Sequence, residues 1–371
     1  MKKNLIIFGT RPEAIKMAPL VNQFLADNRF ETKVCVTGQH REMLDQVLDF
    51  FDIMPDFDLS LMKPNQNLYN LTGEVISGLR TILESFKPDF VYVHGDTTTT
   101  MAASIAGFYA GAKVCHVEAG LRTNNMLSPF PEEMNRQVTG RVATYHFAPT
   151  LKSKNNLLLE NISEDTILVT GNTVIDALLE SSSRVESLEN DETIDLKNKV
   201  NFNSRILLVT GHRRENHGQG FINICSALKE IAVNNPDVEI IYPVHLNPNV
   251  LKPVNELLKD IKNIYLVKPL SYPTFVWLMN QSYLIITDSG GVQEEAPSLG
   301  KPVLVMRDTT ERPEAVDAGT VILVGTNTGK IIKETQELLD NVDTYNSMSS
   351  LHNPYGDGKA CERIIEFIAN I

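Results

Sequence analysis

Two stretches of this chain, LIIFGTRPE at residues 5–13 and LLVTGHRRE at residues 207–215, share one layout: an apolar run, a glycine, a polar residue and an arginine. A short apolar run closed by a glycine break reads as a buried strand feeding a helix. The same opening met twice implies two similar α/β domains in tandem. The length agrees, because 371 residues exceed what one ordinary core holds.

The alternation continues from each opening. Strands are expected at 4–8, 32–37, 57–61, 89–93, 113–117, 144–148 and 166–170, then at 205–210, 238–242, 263–267, 283–287, 302–305 and 320–324. Helical spacing fills the intervals, as in Met43, Leu44, Val47 and Leu48. Fully apolar strands alternating with helices make parallel sheets covered on both faces, a doubly wound, Rossmann-like arrangement. Residues 180–203 carry few large apolar groups and read as a linking helix and an exposed connection at the domain boundary. Residues 356–370 read as a final amphipathic helix.

Composition narrows the function classes. A net charge of −12 leaves no general basic face for nucleic acid. Cys35, Cys115, Cys225 and Cys361 are far apart with no metal-ligand spacing, so they are expected as free buried thiols in a reducing compartment. The apolar run Leu5 to Phe8 is too short for a signal-peptide core. The uncharged run 97–112 is rich in Thr, Ala and Gly rather than in large apolar groups. No membrane association is expected, and the location is read as cytoplasmic.

In open α/β sheets ligands bind at the carboxyl edge, so polar residues just past strands are the candidates. The densest such stretch is 113–136, where a strand gives way to Glu118, Arg122, Glu132, Glu133 and Arg136. Asp96 follows the strand before it, where it is either a ligand-facing acid or a helix cap. Arg136 stands one turn after Glu132 and is expected to orient it, with Glu133 pointing elsewhere. Arg11 and Lys16 flank a helix start, a natural anion site. In the second half His212 and Arg213 follow a strand, and Ser289, Gly290 and Gly291 lie between a strand and a helix, where backbone N–H groups can meet a phosphate. Together with Arg312 these cations can hold a diphosphate without a P-loop. There is no GxxxxGK[ST] motif, no GxGxxG after a strand and no GxSxG elbow, which argues against a P-loop kinase, a nicotinamide enzyme and a serine hydrolase. His40, His94, His116, His146 and His352 read as core or surface residues rather than catalysts, and no metal site is expected.

Seven motifs stand in order: FGTRPEAIKMAPL at the start, HGDTTTT at 94–100, HVEAGLRT at 116–123, FPEEMNR at 130–136, TGHRREN at 210–216, TDSGGVQEEAP at 287–297 and TTERPEAV at 309–316. Taken together the chain resembles the bacterial non-hydrolysing UDP-N-acetylglucosamine 2-epimerases. The resemblance implies a glycosyltransferase-B type fold, two Rossmann-like domains facing across a cleft. It assigns 1–170 plus a returning helix at about 356–371 to one domain and 171–355 to the other. It implies reversible conversion of UDP-GlcNAc to UDP-ManNAc with no cofactor, in a homodimer. The family's catalytic pattern falls on Asp96, Glu118, Glu132, Arg136 and His212. Its nucleotide-binding pattern falls on Arg11, Lys16, Arg213, Leu270, Phe275, Ser289, Gly290, Gly291, Glu295 and Arg312, with Glu295 at the ribose and Leu270 and Phe275 at the uracil. UDP-GlcNAc as an activator would meet Gln39, Arg213 and His245. Two alternatives share the pattern: a hydrolysing epimerase that releases UDP and ManNAc, and a glycosyltransferase of the same fold.

Overall fold

Buried apolar runs ended by Gly, Thr or His become parallel strands because each is followed by a capped helix that carries the chain back. In the computed structural model, which describes residues 1–38, 41–61 and 66–371, the elements run as β1 (Lys2–Phe8), α1 (Arg11–Ala26), β2 (Phe30–Val36), α2 (Arg41–Phe50), β3 (Phe57–Asp58), α3 (Leu68–Phe86), β4 (Phe90–His94), α4 (Thr98–Tyr109), β5 (Lys113–Val117), α5 (Glu132–Val142), β6 (Tyr145–Ala148), α6 (Leu151–Leu159), β7 (Ile167–Val169) and α7 (Thr173–Arg184). They continue as α8 (Asp191–Lys199), β8 (Arg205–Thr210), α9 (Gln219–Asn234), β9 (Val238–Pro243), α10 (Pro248–Leu258), β10 (Ile264–Val267), α11 (Tyr272–Gln281), β11 (Leu284–Thr287), α12 (Gly290–Glu295), β12 (Val303–Val305), α13 (Pro313–Asp317), β13 (Val321–Leu323), α14 (Thr328–Asp340), α15 (Val342–Ser349) and α16 (Ala360–Ala369). The chain divides into two compact units: Met1–Ala177 with Tyr355–Ile371, and Leu178–Pro354.

Among the described residues, the first unit holds a seven-stranded sheet in the order β3-β2-β1-β4-β5-β6-β7, all parallel. The order reverses beside β1, between β1 and β4, which is the switch point where such sheets take ligands. The register pairs His94 with Val117, so the residues just past them, Gly95-Asp96 and Glu118, emerge side by side. Helix α1 starts at a capping box: Thr10 accepts from the Glu13 N–H while the Glu13 carboxylate accepts from the Thr10 N–H. Gly9 has no substitute there, since a Cβ would sit 2.0 Å from Thr37 Oγ1. Helix α16 returns to this unit and buries Ile364, Ile365 and Ile368. Lys2 Nζ donates to the carbonyls of Ile368 (2.8 Å) and Ala369 (3.1 Å), and Phe367 meets Tyr145 and Phe147 edge-on. Burying three isoleucines contributes roughly 5–9 kcal/mol, as much as a domain's whole net stability.

The second unit holds six parallel strands among the described residues, in the order β10-β9-β8-β11-β12-β13, with the same reversal beside its first strand. Thr210 pairs with Thr287, so His212 and Ser289 each lie two residues past a paired position on neighbouring strands. Its core gathers residues such as Leu207, Val209, Phe221, Leu228 and Tyr242 from both layers.

Three expectations about elements change. The exposed connection within 180–203 is instead structured: Asn190 caps α8, and Val185, Thr193 and Leu196 are buried. One apolar residue per turn is enough for a nine-residue helix to dock, which a search for large apolar groups passes over. Strand β3 is two residues rather than five, because only Cys35 and Val36 offer it a partner. Helix α16 begins at Ala360 rather than 356, since Gly356 and Gly358 both take positive φ. All four cysteines are free and buried, and no described helix is long and apolar enough to cross a membrane.

Candidate active site

At the carboxyl edge of the first sheet, Glu118 directly follows β5 and takes a left-handed backbone conformation, φ +62°. A non-glycine residue held there is strained, and such strain persists where surrounding contacts over-determine it. Its carboxylate is almost wholly enclosed. Oε2 is paired with Lys16 of α1 and accepts from Asn172 Nδ2 at 2.9 Å, and His94 Nε2 lies 3.8 Å away. Lys16, expected at the nucleotide, is thus placed against a carboxylate of its own unit.

Asp96 stands next to Glu118 and is gripped from α5. Arg136 Nη2 lies 2.6 Å from its Oδ2, and Asn135 Nδ2 donates to its backbone carbonyl at 2.8 Å. The expected pairing of Arg136 with Glu132 is overturned. Arg136 instead forms an ion pair with Asp96 and donates, at 3.2 Å, to Glu133. Glu133 is fully buried and also accepts the N–H groups of Thr123 (3.0 Å) and Asn124 (3.1 Å). It therefore fastens the 118–131 loop to α5 and shares Arg136 with Asp96. Glu132 is left with a buried Oε2 that has no hydrogen-bond partner among the described residues. A buried, unsatisfied carboxylate oxygen costs about 1–3 kcal/mol, so an arriving donor gains there.

Glu13 is a group the sequence reading missed. Its carboxylate lies beneath this edge and accepts from Gly9 N (3.0 Å), Thr10 N (2.8 Å), Thr97 Oγ1 (2.6 Å) and Thr100 Oγ1 (3.1 Å). It ties the loop after β1 to the loop after β4, across the switch point. Burial raises its pKa, against the pull of those donors. Three histidines line the same sheet as neutral rings. Burial pushes His94 down to about 4, His116 to about 3 and His146 to about 4. His116 Nε2 lies 2.7 Å from the Gly95 carbonyl, bracing the loop that carries Asp96.

In the second unit the loop after β8 is organised by Asp288, which the sequence reading also passed over. Fully buried, it accepts from the N–H groups of His212 (2.9 Å) and Arg213 (2.8 Å) and from Asn216 Nδ2 (3.2 Å). His212 Nδ1 lies 3.5 Å from Asp288 Oδ1, and the His212 ring stacks on His245 with centroids 5.5 Å apart. Burial sets the His212 pKa below its usual value although Asp288 pulls the other way. Asp288→Ala strips the acceptor from two part-buried backbone N–H groups and a buried amide. It is expected to destabilise this unit by about 3 kcal/mol. Chemical denaturation followed by Trp277 fluorescence checks this, and an unchanged midpoint would count against the role.

The nucleotide candidates of this unit sit as follows. Ser289 precedes α12, which is short and tightens into a 3₁₀ turn at Ala296–Leu299. A Cβ on Gly290 would lie 3.7 Å from Arg213 Nη2, so that guanidinium runs beside the helix start. Arg312 is ion-paired to the buried Glu294, one residue before Glu295. Leu270 follows β10 and Phe275 is the fourth residue of α11, its N–H donating to the Ser271 carbonyl at 2.9 Å. Arg11 begins α1 of the first unit. Gln39 and His40 lie outside the described residues. No group of three or more His, Cys, Asp or Glu among the described residues is placed to hold a metal ion.

The comparisons with known proteins agree with one another. Residues 22–369 match the family model described as UDP-N-acetylglucosamine 2-epimerase. The chain is 57% identical over 376 residues to the UDP-N-acetylglucosamine 2-epimerase of Campylobacter jejuni, covering 99% of this chain and 97% of that one. It is 58% identical over 370 residues to that of Escherichia coli K12, covering 99% and 98%. Among solved structures it is similar to the UDP-GlcNAc 2-epimerase of Neisseria meningitidis bound to UDP-GlcNAc, with a TM-score of 0.88, 52% identity and full coverage of both chains. It is also similar to the Methanocaldococcus jannaschii enzyme in complex with UDP-GlcNAc and UDP, with a TM-score of 0.80 and 35% identity over the whole of both chains. A chain with these two parallel doubly wound sheets, matched from end to end in this way, belongs to the UDP-N-acetylglucosamine 2-epimerase family.

Proposed function

We propose that this enzyme is the non-hydrolysing form, interconverting UDP-GlcNAc and UDP-ManNAc by anti elimination of UDP and its re-addition. In the forward half a carboxylate takes the C2 proton. The C2–H electron pair becomes the C1–C2 double bond of 2-acetamidoglucal, and the C1–O bond breaks with its pair leaving on the β-phosphate of UDP. In the return half a proton reaches the opposite face of C2, and the same phosphate oxygen attacks C1. Inversion therefore asks for proton-handling groups on two faces, and a hardly acidic C2–H asks for positive charge at C1 to build first.

The observation that carries this reading is the placement of two carboxylates, Asp96 and Glu118, at the ends of adjacent strands with different partners, Arg136 for one and Lys16 with Asn172 for the other. Unequal surroundings are how two like acids take different roles. Glu132, with its unsatisfied oxygen, completes the acidic set. In the second unit His212 belongs to the catalytic set, Arg213, Ser289, Gly290 and Gly291 hold the diphosphate, Glu295 the ribose, and Leu270 and Phe275 the uracil. Arg11 and Arg312 add positive charge. The relatives solved with UDP-GlcNAc and UDP support the ligand class. Arg213 and the His245 ring against His212 are the described part of an activator site for a second UDP-GlcNAc. The family resemblance extends the reading to a cytoplasmic homodimer without a resident cofactor, supplying ManNAc units for cell-surface polysaccharide.

Incubating the enzyme with UDP-GlcNAc in deuterated water and following the mixture by NMR tests the reaction. UDP-ManNAc carrying deuterium at C2 is expected. Free ManNAc with stoichiometric UDP would instead identify a hydrolysing enzyme.

A further inference from the structure

Asn172 stands where the chain leaves the first sheet, three residues past the paired end of β7, and it is nearly fully buried. All three of its polar groups facing the core are committed. Its Oδ1 accepts from the Val174 N–H at 3.0 Å, which closes the turn that starts α7. Its own backbone N–H donates to the Tyr355 carbonyl at 2.7 Å, on the segment where the chain comes back. Its Nδ2 donates to Glu118 Oε2 at 2.9 Å. The Val174 contact decides which end of the amide is nitrogen, and that nitrogen donates to Glu118. The outgoing and returning segments are pressed together here. Gly171 takes φ +88°, and a Cβ on it would lie 3.3 Å from both Gly356 Cα and the Tyr355 carbonyl oxygen. Asn172 is therefore fixed at both ends before it touches the carboxylate.

We propose that Asn172 is a positioning residue for Glu118, holding its strained carboxylate at a fixed point and tying that point to the paired crossover segments at Asn172 and Tyr355. Lys16 alone does not do this, because an ammonium on a flexible stem is a point charge without a preferred direction. The amide supplies direction. Serine is too short to reach, glutamine displaces the turn, and aspartate sets a like charge against Glu118. The inference rests on the reading of Glu118 as a reacting carboxylate.

Two variants separate positioning from the plain capping of α7. Asn172→Ser and Asn172→Asp both keep a side-chain oxygen able to accept from the first turn of α7, so both should fold, Asn172→Asp with a lowered thermal midpoint because a like charge then faces Glu118. Asn172→Ser is expected to lower kcat about 10–100-fold with KM nearly unchanged, the cost of a carboxylate misplaced by a fraction of an ångström to an ångström. Asn172→Asp is expected to move the acid limb of the kcat–pH profile upward, because a like charge raises a carboxyl pKa. Charged or titratable groups that face Glu118 include Lys16 from α1 and His94 from β4. They are unchanged in both variants. A second readout does not depend on which reaction the enzyme runs: NMR titration of the Glu118 carboxyl in ¹³C-glutamate-labelled protein, assigned with Glu118→Gln, should show a higher pKa in Asn172→Asp than in wild type. Wild-type kcat, pH profile and Glu118 titration in both variants would overturn the proposal. A wild-type enzyme that makes no UDP-ManNAc would overturn the functional reading alone, and the titration would still decide the role of Asn172.

Discussion

Asp96→Asn is expected to lower kcat for epimerisation about 10³-fold while leaving UDP affinity within about twofold. Asparagine keeps the size and one acceptor, so Arg136 retains a partner and Asn135 still holds the backbone carbonyl. What disappears is the negative charge and the capacity to carry a proton. Both are asked for only when C1 turns positive and the C2–H bond breaks, so the loss falls on the transition state and not on the ground state. The diphosphate and uracil contacts proposed here lie on other residues, which is why affinity should hold. Single-turnover assays with UDP-GlcNAc and calorimetry with UDP check both halves. Retention of more than a tenth of wild-type kcat would remove Asp96 from the reaction.

Acidification from pH 7.5 to pH 5 is expected to cost the first unit about 6 kcal/mol through its three neutral histidines. The sign follows from their pKa values, about 4 for His94, about 3 for His116 and about 4 for His146, all depressed first by burial. In the unfolded chain each titrates near its usual value, about 6.5. Between those limits the unfolded state binds more protons, so stability is fully present above pH 6.5 and is lost as pH falls. At pH 5 each unfolded ring is charged and each folded ring is not, a cost of about 2 kcal/mol apiece. Glu13 and Asp176, whose carboxyls burial raises, work against this trend and soften it. Hydrogen exchange of β4 to β6 at the two pH values reads the first unit. Trp277 is the chain's one tryptophan and reports on the second unit. Equal protection of β4 to β6 at pH 5 and pH 7.5 would contradict the account.

Strands and their places along the chain were legible because full burial leaves an unbroken apolar run, and the glycine or threonine that ends it marks the sheet edge. That rule located Asp96, Glu118, His212 and Ser289 before any contact was known. It did not locate Glu13, Asn172 or Asp288, since a buried polar residue at a helix start looks in sequence like an ordinary cap. Only the fold shows that Glu13 also reaches Thr97 and Thr100, 84 and 87 residues away, and that Asp288 reaches His212, 76 residues away. Helical spacing places Glu132 and Glu133 on neighbouring faces and lets Arg136 reach either. The choice was made by the N–H groups of Thr123 and Asn124, which bury Glu133, and by Asp96, which arrives from another strand. Charge pairing across elements is what local spacing carries least. Lys16, read as a phosphate cation, also stands against Glu118 of β5's loop.

The return of α16 to the first sheet bears on how the chain is made. Ribosomes deliver residues in order, at about 5–20 per second, and domains tend to fold as they emerge. The second unit is continuous, so all of 178–354 can condense as soon as it is clear of the exit tunnel. The first unit emerges earlier yet waits longer. Lys2 finds the carbonyls of Ile368 and Ala369 only after 366 intervening steps of synthesis. Until then the surface that takes Ile364, Ile365 and Ile368 is bare. The unit that starts first is thus the one that finishes last.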